Sequence, residues 1–393
     1  MEAKKIVVEN LGPIRSAEIA LGDLTIFVGP QATGKSILLQ LLKLLLDYRS
    51  IREKMRRFNL DWRGEWKTFL ELYFGEGMSD IHNEVETVVQ WEGKTVKLSG
   101  LLMARGPQEE QMFYIPAQRV LALRDGLTRP FTEYRAGDPF VVREFSEKVH
   151  QLVQTEFGKE VDELFPQPSP RRLKSEYRDL LHQHIFAGLT LEMKTEQMVR
   201  RLVLRSPAGR SLPFLVWSAG QREFVPLMLG LYWLMPSARV SRRAHLEWVV
   251  IEEPEMGLHP AAISAVMALV LELLHRGYKV CLSTHSSDVL SVAWALRVFR
   301  EHHARPEDLL KAFQLPAGKK PLWELAKDIL SKEYKVYYFR RDGNVVDITS
   351  LNPAAESPEE ADWGGLTEFG SRIGDVVAEV VRRSERSLPE DEG

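Results

Sequence analysis

The stretch Gly29-Pro30-Gln31-Ala32-Thr33-Gly34-Lys35-Ser36 most narrows what this chain can fold into. It matches the phosphate-loop pattern G-x-x-x-x-G-K-[ST], which holds a phosphate when a strand precedes it and a helix follows. Both neighbours are legible. Residues 24–28 read as a strand, and residues 36–46 read as a helix that is apolar nearly all round and therefore buried. In that setting successive backbone N–H groups and the helix N-terminus form a nest for a β-phosphate. Lys35 then neutralises the β/γ oxygens, and the Ser36 hydroxyl can ligate Mg²⁺.

A second half of the site lies far downstream. The apolar run 246–251 ends in Glu252-Glu253-Pro254-Glu255. A buried strand delivers Glu252 to the carboxyl edge of a sheet, the usual ligand position in α/β folds. A carboxylate there can hold Mg²⁺, usually through water. Its neighbour Glu253 can orient and deprotonate an attacking water, as phosphoryl transfer to water requires. His285 stands just beyond another apolar strand, 279–283, where it can contact a γ-phosphate. Gln118 follows a short strand, 112–115, and its amide can sense Mg²⁺ and the attacking water.

Between the two halves lies Ser218-Ala219-Gly220-Gln221. Ser-x-x-Gln is a capping box, so it begins a helix. A helix start that exposes Ser218 and the Gly220 N–H also suits a γ-phosphate presented by a partner. Both readings are compatible.

The formal net charge of −3 gives no bulk electrostatic reason for a nucleic-acid or membrane partner. The single cysteine, Cys281, excludes an internal disulfide framework and fits a reducing, cytoplasmic setting. The N-terminus lacks the apolar core of a signal peptide, and no apolar run reaches spanning length, so no membrane partner is expected. The basic run Arg49, Arg52, Lys54, Arg56, Arg57 is interleaved with Glu53 and reads as a solvated helix face.

Alternating strands and helices after Glu255 imply parallel α/β architecture. The expected organisation has a first nucleotide-binding part over 1–136 and an inserted helical lobe over 137–186, whose first helix takes Asp138 as N-cap. A second nucleotide-binding part follows over 187–300 and a C-terminal α/β extension over 301–383. That extension contains a hairpin turning at Asp342-Gly343 and a helix with Ile373, Val376, Val377, Val380 and Val381 on one face. Residues 384–393 are read as a flexible tail. A proline breaker, Pro166 to Pro170, is expected between the two helices of the lobe.

Taken in order, these motifs resemble the ABC-type ATPases of the RecF, structural-maintenance-of-chromosomes and overcoming-lysogenization-defect kind, a branch of the AAA-family ATPases. The resemblance rests on residues 27–36, Tyr114-Ile115-Pro116-Ala117, residues 218–222, residues 251–260 and Ser283-Thr284-His285-Ser286. It implies a P-loop fold with a mixed sheet core flanked by helices. The sequence shows no heptad run for a coiled-coil arm, and the residues after His285 lack the D-x-D cluster of a Toprim nuclease domain, so neither is expected. The resemblance further implies a Walker A motif at Gly29 to Ser36, a Q-loop at Gln118 and a signature at Ser218 to Gln221. Walker B falls at Ile251-Glu252, the catalytic glutamate at Glu253, a D-loop around Gly257 to Pro260 and a switch histidine at His285. ATP and Mg²⁺ are the implied cofactors, and a head-to-tail homodimer around two ATP molecules is the implied assembly.

Three departures from the family pattern stand out. Glu252 replaces the commoner Asp, Ala32-Thr33 replaces an extra glycine, and no aromatic is placed to stack on adenine, which leaves Asn10 and Arg15 as candidates for the base end. The function expected is a conformational switch acting on DNA, RNA or a separate effector protein, in DNA repair or anti-phage defence. The alternatives are the nucleotide-binding subunit of a membrane transporter and the ATPase subunit of a nuclease complex.

Overall fold

Short β-prone runs bounded by glycine turns build the N-terminal part. Strands β1 (Lys4–Leu11) and β2 (Ile14–Leu21) pair antiparallel from Lys4 opposite Leu21 to Leu11 opposite Ile14. β3 (Leu24–Val28), buried throughout, leads through the phosphate loop into α1 (Lys35–Arg57). After α2 (Trp66–Phe74), β4 (Val88–Trp91) turns at Glu92-Gly93 into β5 (Lys94–Thr95), both turn residues having positive φ as a tight hairpin requires. These strands form the sheet β2-β1-β4-β5. The computed structural model describes residues 4–106, 109–157, 163–166, 172–196, 199–236 and 242–387; Pro168 and Pro170 of the expected breaker lie outside them.

β6 (Met112–Ile115) is followed by a 3-10 turn, Arg119–Ala122, and by the two-residue strands β7 (Leu123–Arg124) and β8 (Leu127–Thr128). α3 (Phe140–Glu156), β9 (Glu163–Phe165), α4 (Ser175–Leu181), β10 (Thr190–Glu196), β11 (Val199–Arg205) and β12 (Ser211–Leu212) come next. α5 (Ala219–Leu234) begins at the capping box, and β13 (Trp248–Glu252), α6 (Pro260–His275), β14 (Lys279–Thr284) and α7 (Ser287–Glu301) alternate as the sequence requires. The chain ends through α8 (Pro306–Ala312), α9 (Lys320–Ile329), β15 (Tyr334–Phe339), β16 (Val345–Asp347), α10 (Pro358–Ala361) and α11 (Glu368–Ser387).

The fold is α/β around a six-stranded mixed sheet of order β16-β15-β3-β14-β13-β6. Five strands run parallel, and only β16 at the edge is antiparallel. Side chains alternate across a strand. Leu24, Ile26 and Val28 of β3 therefore join Val249 and Ile251 of β13 in a core under α5 and α6. Phe27, Trp248 and Val250 point the other way into a second core built on α1. Covering both faces is what allows parallel strands to be continuously apolar.

Four local expectations are corrected. β2 has no counterpart in the sequence reading, because Arg15, Ser16 and Glu18 break the strict alternation that marks a half-buried strand; its buried residues are Ile14, Ala17, Ile19 and Leu21. The segment 137–186 is not purely helical: β9 pairs with β10 and ties it into the antiparallel sheet β12-β11-β10-β9. The N-cap of α3 is Pro139, one residue later than expected, while the Asp138 carboxylate accepts the Arg135 N–H at 2.8 Å.

The basic run is a solvated face only at its end, where Arg56 and Arg57 are exposed. Arg52 is buried and donates to the carbonyls of Leu102 and Ala104, and the Lys54 ammonium sits 2.9 Å from Glu110 and 2.5 Å from Glu144. Fully buried Lys43 completes that cluster, 3.1 Å from Asp47 and 3.0 Å from both Glu110 and Glu144. A buried lysine survives only with such partners, and here they lock α1 to β6 and α3.

Candidate nucleotide site

Parallel pairing puts the carboxyl ends of β6, β3, β13 and β14 side by side, and each carries one piece of the site. Glu252 of β13 lies opposite Ser283 of β14, and Thr284 of β14 lies opposite Val28 of β3. The loop after β3, the acids after β13 and His285 after β14 thus converge on one cleft of about 500 Å³. Its walls include Gln31, Lys35, Ser36, Glu253, Ser283 and His285.

The loop wraps tightly because glycine occupies the crowded positions. A Cβ on Gly29 would sit 2.4 Å from the Phe339 carbonyl oxygen, and one on Gly34, the N-cap of α1 at φ 100°, would sit 2.6 Å from Ile14. The Thr33 hydroxyl donates to the Pro30 carbonyl at 2.8 Å. Ala32 adopts φ 62°, the left-handed conformation that glycine fills more easily. The departure noted in the sequence is therefore a strained alanine in an otherwise ordinary loop. Lys35 folds over this loop and donates to the carbonyls of Gly29 and Pro30 at 2.7 and 2.6 Å. Burial lowers its pKa to about 8, against the pull of Glu253 and Glu252.

Glu252 is 2 % exposed, and one carboxylate oxygen accepts the Ala117 N–H at 3.1 Å. The other oxygen has no hydrogen-bond partner. Burial raises the Glu252 pKa, while the nearby Ser36 and Tyr114 hydroxyls pull it down. An orphaned buried carboxylate oxygen beside the Ser36 hydroxyl is a donor set that fits Mg²⁺, which prefers hard oxygen ligands and keeps several waters.

Glu253 leaves the strand at φ 44°, held by its N–H on the Ser283 carbonyl at 2.9 Å. Its carboxylate is 3.8 Å from the His285 imidazole. Burial and the Lys35 charge lower the His285 pKa, which favours the neutral ring.

Two residues hold structural roles that the sequence reading did not assign to them. Glu255 accepts the Thr284 hydroxyl and the His285 N–H on one oxygen, both at 2.7 Å, and so pins the histidine turn. Arg119, 1 % exposed, donates to the carbonyls of Glu252 and Glu253, both at 2.9 Å. Gln118 itself is exposed and is not among the residues lining the cleft.

Ser218, Gly220 and Gln221 also lie outside that cleft. The capping box is complete: the Ser218 hydroxyl accepts the Gln221 N–H at 3.2 Å, and the Gln221 amide oxygen accepts the Ser218 N–H at 3.1 Å. Ser218 is exposed, whereas Gln221 is buried and donates to the Ile185 carbonyl. At the base end, exposed Asn10 donates to the Glu86 carbonyl, and Arg15 is exposed. Neither lines the cleft; Pro13, Ile37, Met78 and Ile81 do. No sequence periodicity marks Met78 and Ile81, which sit in the loop between α2 and β4.

The sheet order and the phosphate loop define a P-loop nucleoside triphosphatase fold. Residues 1–93 match the family described as "AAA ATPase domain", and residues 155–292 match the one described as "AAA domain, putative AbiEii toxin, Type IV TA system". Over those two stretches the chain is similar to AAA-family ATPase domains. A stretch of 47 residues is 45% identical to the Old nuclease of Escherichia phage P2, covering 12% of this chain and 8% of the phage protein's length.

Among solved structures, the SMC head domain from Thermotoga maritima is similar at 14% identity and TM-score 0.31, over 74% of this chain and 92% of that one. The recombination mediator protein RecF is similar at 10% identity and TM-score 0.35, over 88% and 98%. Among the described residues, no helix is long and apolar enough to cross a membrane.

Proposed function

We propose that this protein is a Mg²⁺-dependent ATP hydrolase whose two copies close head to tail around ATP, the closure being relayed to a separate effector protein or to DNA or RNA. DNA repair and anti-phage defence in the cytoplasm are the processes such a switch serves. One observation carries the dimeric reading. Lys35, Ser36, Glu253 and His285 line one cleft, whereas the capped helix start, with Ser218 exposed and Gly220 half-buried, lies outside its lining.

In this reading the loop N–H groups and Lys35 bind the β- and γ-phosphates. Ser36 and Glu252 would hold Mg²⁺, with Gln118 a further candidate to contact it. When bound, the metal neutralises charge on the β/γ oxygens. Glu253 orients the attacking water and takes its proton. His285, whose ring lies 3.8 Å from the Glu253 carboxylate, donates toward the γ-phosphate. The partner's signature turn, equivalent to Ser218 to Gln221, covers the γ-phosphate from the other side.

A second reading makes the chain the ATPase half of a nuclease or toxin–antitoxin pair. The segment shared with the Old nuclease and the description of the family matched over 155–292 favour it. Size-exclusion chromatography with light scattering tests the dimer: Glu253→Gln with ATP and Mg²⁺ is expected to run as a dimer, and Lys35→Ala as a monomer. A wild type that turns over ATP at full rate as a monomer overturns the proposal. Co-purification with the products of neighbouring genes separates the two readings of its output.

A further inference from the structure

One buried guanidinium stands between the exposed start of α5 and the acidic edge of the sheet. Arg119 uses three N–H groups on two elements. Two go to the carbonyls of Glu252 and Glu253, each at 2.9 Å, and Nε goes to the carbonyl of Glu223 at 3.1 Å. Glu223 lies five residues beyond Ser218, about one and a half turns into α5. A second contact joins the same two elements: a Cβ on Gly220 would lie 2.8 Å from the Gly257 carbonyl oxygen. The start of α5 is therefore fastened to the 253–257 loop at its tip by close backbone packing and further in by a planar fork.

The fork holds a backbone that needs holding. Glu253 is a non-glycine residue at φ 44°, and such a conformation persists where its surroundings over-determine it. Its N–H is fixed by Ser283, and its carbonyl by Arg119 and the Met256 N–H. Any shift of α5 moves the Glu223 carbonyl, hence the fork, hence the peptide that aims the Glu253 side chain. The Glu223 carboxylate oxygen is 4.0 Å from Nε, so the fork's hydrogen bonds go to backbone carbonyls rather than to a carboxylate.

We infer that Arg119 is a positioning residue that ties the Ser218 helix start to Glu253, so that in a closed dimer each copy's hydrolytic carboxylate responds to the nucleotide its own helix start covers in the partner's site. This rests on the dimeric ATPase reading above. It implies that two ATP molecules are hydrolysed cooperatively and that Arg119 transmits the cooperativity.

Arg119→Lys keeps the positive charge but replaces the fork with a single ammonium that cannot reach both elements with the same geometry. The expected result is an affinity for a fluorescent ATP analogue within about twofold of wild type, with kcat lower by about 10–100-fold, the scale of an ångström-level misplacement. KM should change little, and the Hill coefficient for ATP should fall from above 1 to 1. Arg119→Ala should lose as much and regain turnover with added methylguanidinium.

A folded Arg119→Lys with wild-type kcat and Hill coefficient overturns the inference, as does a loss confined to KM. Melting curves are recorded for both variants; if neither folds, Arg119 serves stability alone and the inference falls. A wild type without ATP turnover overturns the ATPase reading itself, whereas an active wild type with an unaffected Arg119→Lys overturns only the linkage.

Discussion

Glu255 reaches from the loop after β13 to the His285 backbone N–H, 2.7 Å away, and holds the Thr284 hydroxyl at the same distance on the same oxygen. Two strand ends are thereby joined by one carboxylate. Glu255→Ala leaves a buried hydroxyl and a backbone N–H without their acceptor, at a cost of about 1–3 kcal/mol in stability. It should also free the His285 turn and lower kcat by about 10–100-fold, with ATP affinity retained. Glu255→Gln keeps an acceptor oxygen and is expected to stay near wild type. Thermal melts and steady-state kinetics on the pair decide the matter, and equal behaviour of Ala and Gln would refute the clamp.

Glu253→Gln is expected to bind ATP as tightly as wild type and to lose turnover, accumulating the closed state. The amide is nearly isosteric but cannot take a proton from water. A single-turnover assay with radiolabelled ATP reads this directly. Wild-type hydrolysis in the variant would move the base to Glu255 or His285.

Lys35 gives the site a pH signature. Its pKa in the free protein is lowered to about 8, and phosphate binding requires the cation. Affinity for ATP is therefore full below about pH 8 and weakens as pH rises through it, by about tenfold per unit once the free lysine is mostly neutral. Calorimetry in two buffers of different ionisation enthalpy should detect proton uptake on binding near pH 8.5. Lys35→Ala should abolish binding altogether. Flat affinity from pH 7 to 9 would mean that the ammonium is not a phosphate contact.

Ala32 at φ 62° predicts a gain. Left-handed alanine costs about 1–2 kcal/mol, and glycine returns part of that as chain entropy. Ala32→Gly should therefore stabilise the protein by roughly 0.5–1 kcal/mol, seen as a higher melting temperature with ATP affinity kept or improved. A lower melting temperature would show that the loop is not strained there.

The parts legible in the sequence were those whose chemistry is written in adjacent residues. The phosphate loop, Glu252-Glu253, His285 and the Ser218 capping box each announce themselves locally, and apolar runs at 24–28, 248–251 and 279–283 place them on strands. What stayed hidden depends on contacts across the sheet. Arg119 was overshadowed by Gln118, because nothing local shows that its side chain points inward to carbonyls more than a hundred positions away. Lys43, Lys54 and Glu144 form their cluster only once α1, β6 and α3 are packed together, so a buried network read as a solvated face. Pro13, Met78 and Ile81 line the cleft through tertiary contact alone.

The Ser218 turn supplies the sharpest test of the dimer. Ser218→Arg leaves Lys35 and Ser36 untouched, so ATP binding should persist. ATP-dependent dimerisation and turnover should stop, because a bulky cation occupies the γ-phosphate contact and disturbs the helix start. Mixing this variant with Lys35→Ala places both defects in one site of a mixed dimer and leaves the other site with both groups intact. Partial turnover is then expected to return, although neither variant turns over alone. Mixed dimers that form without regaining turnover would mean either that the two sites fire together or that Ser218 is only a cap. Ser218→Ala separates those outcomes. A cap alone loses about 1 kcal/mol of stability and keeps its turnover, whereas a ligand to the partner's nucleotide loses turnover with little change in melting.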